Sequence, residues 1–404
     1  MTHRLRVLYL HPAGAYGGAS KSLIELFGVM RRSGIESTVL TPAGGVVRAF
    51  ADAGMQVAAV RGLSQFDNTR YGHYRGLRWI ILLRELLFLP GSLLALWRIR
   101  NQQFDLLHVN EVTLLPLAIL AKKLLKLPMV VHVRSLQCPP PGGLRTRLVN
   151  CWLARYADAI VAIDRTVACT LDYRLTVKIV HNGLRVESDH VPEKKSPPET
   201  GRAVRVGFMG VLIPLKGIYE LVEAMRILKS RGVAIECVVA GENARDLRGI
   251  RAWALRKLGF AKNVRGELEQ MIQDYGLEKH VSLLGFVQDV RAIYPTLDIL
   301  CFPSHLDAAG RPVFEAAFYS IPSVVAVKDP LPDAVLHEHT GLAIPKPEPD
   351  LIADALQRLA RDEAFRLTLG RQARRWALDN FSIENSATAM LGIYQKLAPS
   401  KQEN

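Results

Sequence analysis

Residues 302–326, FPSHLDAAGRPVFEAAFYSIPSVVA, run from the end of one apolar stretch through a glycine-containing turn and a helical pattern into a second apolar stretch. Ile299–Phe302 and Ser323–Val327 are short, unalternated and bounded by turn residues, so they read as strands, and the segment carrying Glu315 reads as the helix between them. Working outward, the same alternation recurs. Further strands are read at Val204–Met209, Ile235–Val239 and Val281–Leu284 in the C-terminal half. Those in the N-terminal half are Arg6–Leu10, Ser37–Leu40, Leu106–Val109, Met129–Val133, Ala159–Ala162 and Lys178–Val180. Runs of Val, Ile and Leu without alternation mark strands covered on both faces, as in a parallel α/β sheet. The two series are separated by residues 189–203, DHVPEKKSPPETGRA, whose proline, charge and lack of large apolar residues read as a linker.

A chain of 404 residues, 49% of them apolar, exceeds what one core organises and suffices for two. The fold class is therefore α/β, with doubly wound domains at 1–190 and 204–380, a linker at 191–203, and a tail at 381–404. Ligands of such sheets sit at the C-terminal ends of the strands.

The charge is uneven. Residues 1–190 hold 24 Lys and Arg against 12 Asp and Glu, whereas residues 191–404 hold 28 against 26. A positive N-terminal half attracts nucleic acid, anionic lipid or an acidic substrate. No zinc finger, RNA-binding sheet motif or basic-zipper heptad accompanies it, so no nucleic-acid partner is expected. Cys138, Cys151, Cys169, Cys237 and Cys301 are scattered without C-x-x-C or metal-ligand spacing, which predicts reduced thiols and neither disulfide nor structural zinc. Arg4 to Leu10 already reads as a strand, so no signal peptide is expected and the cytoplasm is the expected compartment.

Leu77–Trp97, LRWIILLRELLFLPGSLLALW, is the most membrane-like stretch. Its uncharged run Leu86–Trp97 is shorter than the roughly 20 residues a span needs. Flanking Arg75, Arg78, Arg98 and Arg100 and the tryptophans near its ends suit a helix lying in an anionic interface. The competing reading is a buried helical pair broken at Pro90–Gly91.

Three segments carry chemistry. After the first strand comes HPAGAYGGASKSLIELF, 11–27, where Gly17 and Gly18 let backbone amides approach a phosphate, or merely form a tight turn. In VGFMGVLIPLKGIYELVEAM, 206–225, Lys216 sits in a loop where an ammonium meets a diphosphate, or is simply solvated. In 302–326, Asp307 and Glu315 lie eight residues apart across the turn. Two carboxylates so placed suit hydroxyls of two sugars, with backbone amides of the turn facing a diphosphate. The plain alternative is a helix start with ordinary acidic residues.

These segments together resemble glycosyltransferase family 4, the retaining GT-B enzymes also described as glycosyl transferases of group 1. The hallmark of that family is a glutamate, seven residues, then a second glutamate within a stretch like P-S-x-x-E-G-F-G-R-P-x-x-E-A; this chain has PSHLDAAGRPVFEA. The resemblance extends to Gly17–Gly18, HNGL at 181–184, VSLLGFVQDV at 281–290, HTGLAIP at 339–345, and NFSIENSATAMLGIYQKL at 380–397, which looks like the family's final helix returning to the first domain.

The resemblance implies two Rossmann-like domains facing a central cleft, acceptor on the first and donor on the second. It assigns Glu315 to the ribose hydroxyls. Lys216, Gly17, Gly18 and the turn Ala308, Ala309, Gly310, Arg311, Pro312 and Val313 would meet the diphosphate, and Asp307 the donor sugar. On Met129–Val133 the family often carries a reacting histidine; its position falls on Arg134, with His132 two residues earlier on the same strand face, and either serves. Three departures stand out. Val211 replaces the usual arginine, Asp307 is one methylene shorter than glutamate and is followed by Ala308–Ala309 instead of Gly-Phe, and VKDPLPDAV, 327–335, replaces a glycine-rich loop.

The implied reaction moves a sugar from a nucleotide sugar, with retention, to a glycan or lipid-linked acceptor of an envelope polysaccharide. No D-x-D triad is present, so the leaving charge falls to Lys216, an arginine and helix N-termini, with no metal and no cofactor. Peripheral contact with an anionic membrane through 77–100 completes the expectation. The rivals are a GT-B nucleotide-sugar epimerase and a catalytically silent GT-B subunit that binds nucleotide or scaffolds a partner.

Overall fold

The computed structural model describes residues 4–70, 72, 74, 79–140, 142–185, 202–243 and 263–398. Of the linker read at 191–203 only Arg202 and Ala203 are among them; Arg75, Leu77 and Arg78 also lie outside the described residues. The chain divides into two compact units, Met1–Arg185 with Phe381–Asn404, and Val186–Asn380.

Unit 1 follows the order β1 (Leu5–Leu10), α1 (Gly18–Met30), β2 (Ile35–Pro42), α2 (Gly45–Asp52), β3 (Gln56–Val60), α3 (Ile81–Ile99), β4 (Leu106–Val109), α4 (Leu115–Leu125), β5 (Met129–Val133), α5 (Leu144–Tyr156), β6 (Ala159–Ala162), α6 (Arg165–Ala168) and β7 (Val177–Ile179). Its strands pair in parallel in the order β3-β2-β1-β4-β5-β6-β7. Successive side chains of a strand point to opposite faces, and here both faces are buried. Leu8 and Leu10 pack with helices α4 and α5, while Val7 and Tyr9 pack with α1 and with the C-terminal helix Ile383–Leu397. That double burial is why β1 reads as an unbroken apolar run.

Unit 2 runs β8 (Val204–Met209), α7 (Ile218–Ser230), β9 (Ile235–Ala240), α8 (Val264–Asp274), β10 (Val281–Gly285), β11 (Ile299–Phe302), α9 (Arg311–Phe318), β12 (Ser323–Ala326), β13 (Gly341–Ile344), α10 (Pro349–Arg361) and α11 (Glu363–Phe381). The parallel order is β10-β9-β8-β11-β12-β13 around one continuous core. Both units are thus Rossmann-like sheets. Strands β3 and β13 escaped the sequence reading. Each lies at a sheet edge, and in QVAAV and GLAI small residues stand where the other strands carry Val, Ile and Leu runs.

The broken helical pair is corrected. Ile81–Ile99 is one helix with Pro90 inside it. Its inner face holds Glu85, Ser92, Leu96 and Ile99, and Ser92 Oγ donates to the Phe88 carbonyl at 2.8 Å, in the turn that contains the proline. Ile80, Leu83, Leu87, Leu94 and Trp97 are exposed, at helical spacing along the opposite face. Among the described residues no helix is long and apolar enough to cross a membrane.

Candidate active site

In unit 2 the strand order reverses between β8 and β11, so the loops leaving those two strands meet at the C-terminal end of the sheet. They are stitched together: the His305 amide and the Ser304 hydroxyl both donate to the Leu215 carbonyl, at 2.9 and 3.2 Å. Gly217 allows this. Its φ is 73°, and a Cβ there would fall 1.8 Å from the Pro303 oxygen, so a side chain would force the loops apart.

Lys216 precedes that glycine. Its Nζ stands 5.8 Å from the centre of the Phe302 ring, and burial lowers its pKa to about 8. Among the described residues its ammonium meets no acceptor. The same ring abuts Gly310, where a Cβ would approach it to 2.6 Å. Phe302 therefore brings Lys216 and the turn Ala308–Ala309–Gly310 to one place. The helix opening at Arg311 has no side-chain cap at Gly310 and Pro312 in its first turn, while Val313 is buried in the core.

One turn further, the Glu315 carboxylate is gripped at both oxygens. Oε1 accepts from Arg311 Nε at 2.8 Å, and Oε2 accepts from the Tyr294 hydroxyl at 2.7 Å. The side chains of Arg311 and Glu315 are mostly buried, and Tyr294 is 0% exposed, stacked on Tyr319. Burial, then the Glu315 charge, pushes the Tyr294 hydroxyl well above its usual pKa, so it remains a donor. Asp307 is exposed, at a φ of 53°. Its Oδ1 accepts from the Lys328 amide at 3.1 Å, so the loop 327–335 that departs from the family pattern is tied to the residue that also departs.

Unit 1 reverses its order between β1 and β4, and again the residues leaving those strands meet. Asn110 Nδ2 donates to His11 Nδ1 at 2.8 Å, while Asn110 Oδ1 accepts from Arg134 Nε at 2.9 Å. Arg134 also donates through Nη1 to Asn182 Oδ1 at 2.6 Å and through Nη2 to His132 Nδ1 at 3.2 Å. Behind them His108 Nδ1 shares a 2.7 Å bond with the Tyr394 hydroxyl, itself 3.1 Å from Tyr9. Burial, reinforced by the Arg134 charge, lowers the pKa of His11 and His108 to about 3 and holds His132 well below its usual value. All three are neutral at pH 7.

The structure separates Arg134 from His132. His132 is buried, at 2% exposure, and its Nδ1 accepts from Arg134, whereas Arg134 itself is only half-buried. Gly17 is the first residue before α1, and a Cβ on Gly17 or Gly18 would meet nothing within 4 Å. Their approach to a phosphate is therefore sterically open. Reading the sequence alone passed over Tyr294 and Asn110, and gave Asn182, within HNGL, no role. Each is an uncharged side chain whose meaning comes only from the charged group it meets. Among the described residues no three His, Cys, Asp or Glu gather in a metal-holding group.

Two family models match successive parts of the chain, Glycosyltransferase Family 4 over residues 16–188 and Glycosyl transferases group 1 over residues 192–376. The D-inositol 3-phosphate glycosyltransferase of Corynebacterium jeikeium (strain K411) is 26% identical over 413 residues, covering 96% of this chain and 93% of that protein. The capsular polysaccharide biosynthesis glycosyltransferase CapM of Staphylococcus aureus is 22% identical over 205 residues, 50% of this chain and 49% of CapM. The crystal structure of HepE of Anabaena in complex with UDP and glucose matches with a TM-score of 0.73 at 18% identity, covering 98% of this chain and 100% of that one. The architecture is therefore the GT-B fold. The chain belongs to glycosyltransferase family 4 and is a glycosyltransferase.

Proposed function

We propose that the protein transfers a sugar from a nucleoside diphosphate sugar to a glycan or lipid-linked acceptor, with retention and without a metal or other cofactor. The observation that carries this reading is the unit 2 cluster: a carboxylate held at both oxygens, Glu315, one helical turn beyond a turn that shares Phe302 with Lys216. Glu315 takes the ribose hydroxyls. Lys216, Gly17, Gly18 and the backbone of Ala308 to Val313 take the diphosphate, supplying the positive charge that a leaving group needs. Asp307 meets the donor sugar through the oxygen not held by Lys328, and Arg134 replaces the histidine of the family at the reacting sugar. The C1–O bond to diphosphate breaks while the acceptor oxygen bonds C1 on the same face, and the acceptor proton passes to the departing phosphate.

UDP-sugars are the first donors to test, because HepE was solved with UDP and glucose. Envelope polysaccharide synthesis is the proposed setting, in keeping with the function named for CapM. The cytoplasmic face of the membrane is the proposed location. Support for it is the exposed apolar stripe of α3 between Arg84 and the arginines Arg98 and Arg100.

The silent-subunit reading draws on Asp307, whose left-handed backbone and Lys328 contact commit half its carboxylate to the loop. The deciding experiment incubates the protein with UDP-, GDP- and ADP-sugars plus a lipid-extract acceptor and follows release of nucleoside diphosphate. Release supports the transferase; binding of a nucleoside diphosphate without release by any donor supports the silent subunit; absence of both overturns the nucleotide-sugar reading.

A further inference from the structure

The grip on Glu315 is tighter than an ion pair on a helix surface requires. An Arg and a Glu four residues apart already form a favourable pair, yet the second oxygen is taken by Tyr294, a residue 21 positions away on the short turn before β11 and wholly buried. Tyrosine needs a partner for its hydroxyl when buried, but any carbonyl would serve. Here the partner is the carboxylate assigned to the ribose, and the donor hydroxyl cannot wander, because its ring is stacked on Tyr319 at 5.4 Å with planes 19° apart. A carboxylate has about four lone-pair directions. Two are fixed by Arg311 and Tyr294, one at each oxygen, which sets the plane of the group.

We propose that Tyr294 is a positioning residue that presets the Glu315 carboxylate for two adjacent ribose hydroxyls, making it a determinant of selectivity for a ribose diol. This inference rests on Glu315 binding the ribose. A preset carboxylate does not reorganise on binding, so its contribution falls specifically on the diol and not on the diphosphate or base. A role in folding alone would instead weaken every nucleotide equally or none.

The test measures binding of UDP and of 2′,3′-dideoxy-UDP by calorimetry to wild type, Tyr294→Phe, Arg311→Met and Glu315→Ala, with GDP and ADP pairs run alongside so that the base does not decide the outcome. Wild type should prefer the ribose form by about ten- to a hundredfold, the range for hydrogen bonds to a charged group. Tyr294→Phe should lower that preference by roughly tenfold while binding the dideoxy form as wild type does, the latter also reporting an intact fold. Arg311→Met tests the same grip from Oε1 and should shrink the preference too. An unchanged ribose preference in Tyr294→Phe, or equal loss for both forms, overturns the positioning role. If Glu315→Ala retains the full preference, the ribose assignment itself falls; if Glu315→Ala abolishes it and Tyr294→Phe does not, only the present inference falls.

Discussion

The two sheets share one strand-order pattern, β3-β2-β1-β4-β5-β6 and β10-β9-β8-β11-β12-β13, yet they handle the polar groups at the point of reversal in opposite ways. In unit 1, three buried neutral histidines and two asparagines surround a single arginine, and the C-terminal helix reaches in through Tyr394 to close the network. In unit 2, an ammonium, a guanidinium and a carboxylate stand around the ring of Phe302 and the turn beside it, partly open to solvent. The same backbone plan fixes where a site falls, and burial fixes what it offers. Unit 1 presents one arginine held by two asparagines and a neutral histidine; unit 2 presents an ion pair and a buried lysine beside one turn.

The largest single effect is expected from the arginine of unit 1. Arg134→Ala should cut turnover by about 10²–10³-fold, the usual cost of removing one preorganised donor, with nucleoside diphosphate affinity nearly unchanged. Lysine should rescue little, because one ammonium cannot serve Asn110, Asn182 and His132 as the guanidinium does. Steady-state kinetics with separate kcat and KM check this; a rise in KM at constant kcat would move Arg134 from chemistry to binding.

Glu315→Ala is the counterpart in unit 2, and its effect should lie in binding. Loss of charge-assisted bonds worth about 1.5–3 kcal/mol weakens nucleoside diphosphate by roughly ten- to a hundredfold. Unchanged affinity in calorimetry removes Glu315 from the site.

The difference between the units also accounts for what could be read before the structure. Glu315, Lys216 and the turn between Asp307 and Arg311 were legible because charge and glycine at fixed spacing in a strand–turn–helix segment leave a local signature. The β8 and β11 loops needed only Gly217 and the P-S-x-x stretch to be noticed. In unit 1 the network is assembled from β1, β4, β5, residue 182 and the C-terminal helix, so no local spacing reveals it. Arg134 and His132 looked equivalent on one strand face, and only burial separated them. Likewise Pro90 reads as a break, but the helix Ile81–Ile99 continues through it, since packing of its inner face on unit 1 outweighs one missing amide bond.

A smaller effect sharpens the unit 2 side. Lys216 sits near a pKa of about 8 because burial disfavours its charge, and a bound diphosphate favours that charge. Affinity for nucleoside diphosphate should therefore be greatest below pH 8 and fall as pH rises above it, by at most about tenfold per unit. Lys216→Met should bind more weakly at pH 7 and lose this step. Stability carries the opposite sign. A lysine of folded pKa about 8 and ordinary value 10.5 binds more proton when unfolded, so its burial penalty is present below pH 8 and relieved between 8 and 10.5. Calorimetric titrations at pH 7, 8 and 9.5 beside melting curves read both; a step retained in Lys216→Met assigns it elsewhere.

The smallest effect concerns the outer face of unit 1, where the contrast between buried and open groups recurs along one helix. Glu85 is 3% exposed and accepts from the Gln65 amide at 3.0 Å, whereas Leu87 two residues later is 78% exposed. Removing an exposed leucine takes nothing from the core, so Leu83→Ser with Leu87→Ser should leave the melting temperature within a few degrees of wild type. If this face meets anionic lipid, the same pair should lower vesicle binding several-fold. Each flanking arginine near the surface contributes on the order of 1 kcal/mol, so binding should also fall at high salt. Co-sedimentation with phosphatidylglycerol-containing and neutral vesicles, at low and high salt, reads every arm. Equal binding to both vesicle types at all salt concentrations removes the electrostatic part, a large drop in melting temperature makes the stripe structural, and no binding at all leaves a soluble glycan as the acceptor.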